Sequence, residues 1–184
     1  MKINSGTLLA ALLGVTLAAA AAPLKTDPAR SRVSAVFTQM NVPVEAPFKK
    51  FSAAIDYDAA KPALAKASVE IDTASLDVGE ADMNKEVAKK DWFNSAQYPK
   101  ATFVSSSIKP VTAGKFNVSG KLSIKGKSTD VSFPLTVKTE GGKQVFEGAL
   151  PIKRLAYSVG EGEWKDTSIV ADEVVIKFRV TAGQ

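Results

Sequence analysis

Between residues 115 and 139 the chain alternates apolar and polar side chains twice over, and no other stretch constrains the fold as tightly. Phe116, Val118, Leu122 and Ile124 are interleaved with Asn117, Ser119, Lys121 and Ser123. After Lys125-Gly126-Lys127-Ser128, the series Val131, Phe133, Leu135, Val137 is interleaved with Ser132, Pro134, Thr136 and Lys138. Successive side chains of a strand point to opposite faces, so each run has one apolar and one polar face. Two such runs around a short Gly-containing turn make an antiparallel hairpin. Its apolar face must be covered by the rest of the chain or by a ligand.

The same alternation recurs along the chain. Val33, Ala35 and Phe37 share a face in residues 32–40, and Phe51, Ala53, Ile55 and Tyr57 do so in 50–58. Ala65, Ala67, Val69 and Ile71 follow in 65–72, and Val174, Ile176, Phe178 and Val180 close the chain in 172–180. Residues 100–109 and 143–153 also read as strands. Pro43 and Pro47 mark 40–48 as an interruption or bend. In 79–90 the alternation stops. There Met83 and Val87 lie four apart, with Glu80 and Asp82 early and Lys85, Lys89 and Lys90 late, an order that complements a helix dipole and predicts a short helix. Residues 154–168, broken by Gly160 and Gly162, read as a long loop.

This gives an all-β chain of eight antiparallel strands with one or two short helices. Closing the sheet on itself into a barrel removes its exposed edges, with a two-sheet sandwich as the alternative. An eight-stranded interior is either filled by side chains or holds one ligand. Small residues on the expected inner faces, namely Ala35, Ala53, Ala65, Ala67, Gly120 and Ala149, favour a cavity.

The first residues are of a different kind. Lys2, an apolar run over 8–17 and the small residues Ala18 to Ala22 match a secretory signal peptide, so residues 1–21 are expected to be removed and 22–184 to form one domain. With no Cys in the chain, no disulfide and no lipid-acceptor thiol exist, and the expected setting is the periplasm. The absence of both His and Cys excludes Ser-His-Asp and Cys-His catalysis and His- or Cys-ligated metals. Carboxylates are the remaining catalytic option, with Glu161, Glu163 and Asp166 in one loop; a solvated acidic loop is the plainer reading, and no enzyme activity, cofactor or metal is expected. The net charge of +5 is spread out, without aromatic interleaving, so nucleic acid is not an expected partner and membrane contact is at most peripheral.

Asp91-Trp92-Phe93 followed by Tyr98-Pro99-Lys100-Ala101-Thr102-Phe103 resembles a segment of the YceI-like family. So do the run from Val118 to Gly126, Ile152-Lys153-Arg154 and Ala171-Asp172-Glu173-Val174. The resemblance implies a lipocalin-like, extended eight-stranded barrel whose tunnel binds an isoprenoid, a quinone-like molecule or another long amphipathic lipid, and it allows a homodimer. Arg30 stands where the family often has His, and Met83 to Val87 replaces a family segment with Arg and His, so head-group contacts built on those residues do not carry over. The candidate ligand-binding residues are Phe37, Phe51, Ile55, Val69, Ile71, Phe103, Phe116, Leu122, Phe133, Leu135, Ile176 and Phe178 inside. Trp92 and Trp164 are candidates at the rim. The reading is a periplasmic lipid-binding or carrier protein; the alternative is an envelope stress or interaction protein with a packed core.

Overall fold

The alternating segments all enter one ten-stranded antiparallel sheet in a computed structural model, which describes residues 23–183. The expected signal peptide lies outside the described residues. In chain order the strands are β1 (Lys25–Thr26), β2 (Arg32–Gln39), β3 (Val42–Pro47), β4 (Phe51–Asp56), β5 (Lys66–Asp72), β6 (Lys100–Thr112), β7 (Lys115–Ile124), β8 (Lys127–Glu140), β9 (Lys143–Lys153) and β10 (Val170–Gly183). Their order across the sheet is β3-β2-β10-β9-β8-β7-β6-β5-β4, with β1 also on β10.

The opening hairpin is β7–β8, with Ile124 opposite Lys127. Its two turn residues, Lys125 and Gly126, have φ of 49° and 75°, the left-handed pair that matches the twist of a two-residue hairpin. The β2–β3 turn has the same form, with Met40 at 48° and Asn41 at 64°. Residues 40–48 are therefore not an interruption but a tight turn and a strand. As a terminal strand of the sheet order, β3 uses only half its N–H groups in a ladder, which is why it tolerates Pro43 and Pro47. This strand and the two-residue β1 raise the count from eight to ten.

The sheet curls into a barrel-like shell because β3 and β4 are consecutive and run the same way, on its two opposite margins. The bend between them is tied down on both sides. Phe48 N–H donates to the Val33 carbonyl at 2.9 Å, Lys49 N–H to the Ser75 carbonyl at 3.0 Å, and Asp72 N–H to the Lys50 carbonyl at 3.0 Å. β1 occupies the gap that remains. It pairs with β10 through Lys25–Gly183 and Thr26–Ala182, while Leu24 N–H donates to the Ile55 carbonyl of β4 at 2.8 Å and the Thr26 hydroxyl to Ala53 at 2.9 Å.

One end of the shell, here the closed end, is covered by the helix α1 (Ala81–Val87), the turn that follows it, and residues 154–169 with 3-10 turns at Arg154–Tyr157 and Gly162–Lys165. The opposite end carries the loop 57–65 with its own 3-10 turn at Pro62–Leu64; beside it Lys66 is the one exposed residue of the interior lining, which makes this the open end. In β9 the inward residues are Phe146, Gly148, Leu150 and Ile152; Ala149, opposite Lys177, faces outward rather than inward as expected.

Candidate functional site

Inside the shell the inward faces leave a cavity of about 180 Å³. Native interiors leave few voids larger than a water molecule, so this is a tunnel and not a loosely packed core. Phe103, Ile176 and Phe178 belong to the inner wall yet are only partly buried, because they border that space.

The tunnel has two unlike sides. On β6 to β10, Phe133 packs between Phe103 (centroids 5.5 Å apart) and Phe178 (5.6 Å), forming an aromatic band. Two glycines make room for it. A Cβ on Gly120 would lie 2.6 Å from the Phe103 ring, and one on Gly148 would lie 2.5 Å from the Phe178 ring. Each ring therefore rests on bare backbone. Across the tunnel, β2, β4 and β5 offer Ala35, Ala53 and Ala67. Alanines opposite a bulky wall leave a channel on the alanine side.

Arg154, Tyr157 and Val159 line the closed end, each buried. The Arg154 guanidinium donates five hydrogen bonds, all to backbone carbonyls: Nε to Ala171 at 3.1 Å, Nη1 to Val159 at 3.0 Å and Gly160 at 3.1 Å, and Nη2 to Trp164 and Val170 at 2.7 Å each. Burial lowers its pKa, opposed by the nearby Asp172 carboxylate. Five donors serve five acceptors, so no N–H is left to hold a ligand. Trp92 lies beside this group, 5.7 Å from ring centroid to Arg154 Cζ, and packs on Trp164 at 5.2 Å. Gly160, with φ of 84°, has no room for a side chain against the guanidinium.

At the open end the wall includes Tyr57, Ala65 and the exposed Lys66. The Tyr57 ring reaches across the shell and meets Phe116 and Phe146 edge-on, at 6.2 and 5.5 Å. Its hydroxyl pKa is raised, chiefly by burial and further by Asp58.

Ten of the fourteen candidate residues line the tunnel: Ile55, Val69, Ile71, Phe103, Phe116, Leu122, Phe133, Leu135, Ile176 and Phe178. Four do not. Phe37 and Phe51 share faces with tunnel residues but lie one step nearer the closed end, half-buried against the core. Trp92 lies against the Arg154 guanidinium at the closed end, and Trp164 packs on Trp92. Sequence reasoning missed Arg154, Tyr157, Phe48 and Phe146. Placing Ala149 on the inner face of β9 put Phe146 on the outer one; Arg154 carried no signal beyond its family motif.

The acidic loop is not arranged for acid catalysis. Glu161 pairs with Lys125 at 3.2 Å, and that hydrogen bond lowers its pKa, the opposite of what a general acid needs. Hydrogen bonds from Ser168 lower that of Asp166. Among the described residues no group of three or more Asp or Glu side chains converges as a metal site would require.

Fold and interior together define an antiparallel β-barrel enclosing a tunnel walled almost wholly by apolar side chains. A family model for the YceI-like domain matches residues 24–182, and the chain belongs to that family. It is 57% identical to Burkholderia cenocepacia BcnA, whose crystal structure superposes with a TM-score of 0.83 over 86% of this chain and 99% of that one. A UPF0312 protein of Shewanella sp. strain W3-18-1 is 31% identical over 163 residues, 85% of this chain and 74% of that protein. UPF0312 proteins of Pseudomonas savastanoi and Pseudomonas syringae are 35% identical over 94 residues, and the match spans about half (49%) of their length. A polyisoprenoid binding domain from Saccharophagus degradans, implicated in plant cell wall breakdown, superposes with a TM-score of 0.68 at 19% identity, over 88% of this chain and 97% of that one. That last likeness is one of fold alone.

Proposed function

We propose that this protein binds a single long-chain lipid, an isoprenoid or quinone-like molecule, along its tunnel and carries it through the periplasm without chemical change. The observation that carries the reading is the hydrocarbon-walled cavity of about 180 Å³, which a packed-core interaction protein has no reason to keep. Family membership and the Saccharophagus domain support the choice of ligand class.

The energetics suit such a ligand. Burying one CH2 contributes roughly 0.8 kcal/mol, so a five-carbon unit contributes on the order of 3 kcal/mol. Nanomolar binding needs about 12 kcal/mol, which some four units reach before ordering costs and a few more offset those costs. No charged anchor is required. With every Arg154 donor already engaged, the polar end of the ligand lies at the Tyr57–Lys66 mouth and the hydrocarbon end points at Arg154.

Native mass spectrometry of protein purified without detergent tests this. The expected result is a near-stoichiometric long-chain apolar adduct, lost in Ala53→Trp, which fills the alanine side. An adduct-free wild type, or unchanged uptake by folded Ala53→Trp, sinks the reading.

A further inference from the structure

We propose that the open end of the shell is a docking surface for an anionic phospholipid bilayer, from which the tunnel is loaded. The inference rests on the tunnel reading above. Two large apolar side chains stand exposed at this end: Leu64 on the 3-10 turn Pro62–Leu64, 70% exposed, and Val111 near the end of β6, 67% exposed. Leu64 directly precedes Ala65 and Lys66 of the tunnel mouth, and its turn packs against β6.

Around them lie Lys61, Lys66, Lys109 and Lys115. Among the described residues none of these four is in an ion pair. The carboxylates at this end are fewer or already engaged. Glu140 and Glu147 pair with Arg179 and Lys138, Asp27 with Lys143, and Glu45 with Arg32. Asp56 and Asp58 remain, against four lysines, so the rim is net positive. At the closed end the lysines outside ion pairs, Lys50, Lys90, Lys127 and Lys165, are outnumbered by Asp72, Glu80, Asp91, Glu163, Asp166 and Asp172. The exposed apolar group there, Met40, Val42 and Ile169, borders no opening.

Basic side chains beside apolar ones suit an anionic membrane, where lysines sit at the head groups and Leu64 and Val111 enter the acyl boundary. The position matters for transfer. A mouth held flush with the bilayer lets an apolar chain pass from acyl region to tunnel without crossing water.

Vesicle co-sedimentation tests the proposal, using phosphatidylcholine alone and phosphatidylcholine mixed with phosphatidylglycerol. Each lysine near such a surface contributes roughly fivefold to binding, so Lys109→Gln with Lys115→Gln should bind mixed vesicles roughly thirtyfold more weakly at low salt. Leu64→Ser should weaken it further. Lys127→Gln with Lys165→Gln at the closed end should leave it unchanged. Equal binding to neutral and mixed vesicles, or equal losses from the two lysine pairs, overturns the proposal. Native mass spectrometry on the same samples separates the two claims. Protein that carries a tunnel lipid but ignores mixed vesicles overturns docking alone. Protein that binds through the rim yet never carries lipid overturns the tunnel reading and supports the docking surface.

Discussion

Gly148 and Gly120 look alike in the sequence and do different work in the wall. At Gly148 a methyl group would meet the Phe178 ring at 2.5 Å and, less tightly, the Pro134 carbonyl at 3.1 Å, so it is chiefly the ring that must yield, toward the tunnel. Gly148→Ala should therefore cost about 1–3 kcal/mol by overpacking, and should shorten or exclude the bound chain. Thermal denaturation and the mass of the co-purified adduct check the two effects. At Gly120 the same methyl runs into the Val104 carbonyl as well as the Phe103 ring, so backbone must move and the fold suffers first. Arg154 invites a sharper test. Lysine keeps the charge but has three donors where five carbonyls wait. At least two buried acceptors lose their partner, each loss costing about 1–3 kcal/mol. Arg154→Lys should thus be destabilised by roughly 3 kcal/mol in chemical denaturation, although it conserves charge.

At the scale of elements, the bend between β3 and β4 is pinned to the start of α1 through Asp77. Its carboxylate accepts from Lys49 at 2.7 Å, Asn84 at 2.9 Å and the Gly79 N–H at 3.1 Å. These bonds, that from Lys49 the largest, lower its pKa from 3.8 to about 2. A carboxylate more acidic in the folded than in the unfolded chain stabilises fully above its unfolded pKa, and that contribution is lost as pH falls through the folded value. Stability should therefore fall between about pH 4 and about pH 2, and Asp77→Asn should flatten that acid limb while lowering stability at neutral pH. Melting temperature followed across this range by circular dichroism decides it. The elements differ in how far the sequence disclosed them. β7 and β8 were legible because their alternation is long and uninterrupted. β3 was not, since its prolines are tolerated only by a strand with one neighbour, a fact of the sheet and not of the segment. β1 is two residues long and has no pattern to read; its register comes wholly from β10 and β4.

For the molecule as a whole, a tunnel with one open end should measure its ligand. Affinity should climb by roughly 3 kcal/mol per added isoprene unit while the chain is still entering, before ordering costs, then level off once Arg154 and Tyr157 are reached. Displacement titrations with a homologous series of chain lengths should show that plateau; affinity independent of length from the shortest member upward contradicts it. Much of the lining was visible in the sequence, because inward strand positions follow from alternation alone. The ends were not. Tyr57 lay on a recognised face, but its reach across the shell to Phe116 and Phe146 depends on the barrel's curvature. Trp92 and Trp164 are large aromatics in irregular segments, yet Arg154, far from Trp92 in sequence, lies against the Trp92 ring and holds the Trp164 carbonyl.

The seam held by Leu24 and Thr26 makes the first described stretch of chain the last plank of the wall. Most of a barrel can assemble from hairpins joined in sequence, but this gap spans margins formed by β4 and by the end of β10, so it can be sealed only after the final strand has arrived. Until then a lengthwise slit lies open beside Ala53 and Ile55, and a chain trimmed past Thr26 should keep its sheet while letting water in and oil out along its flank.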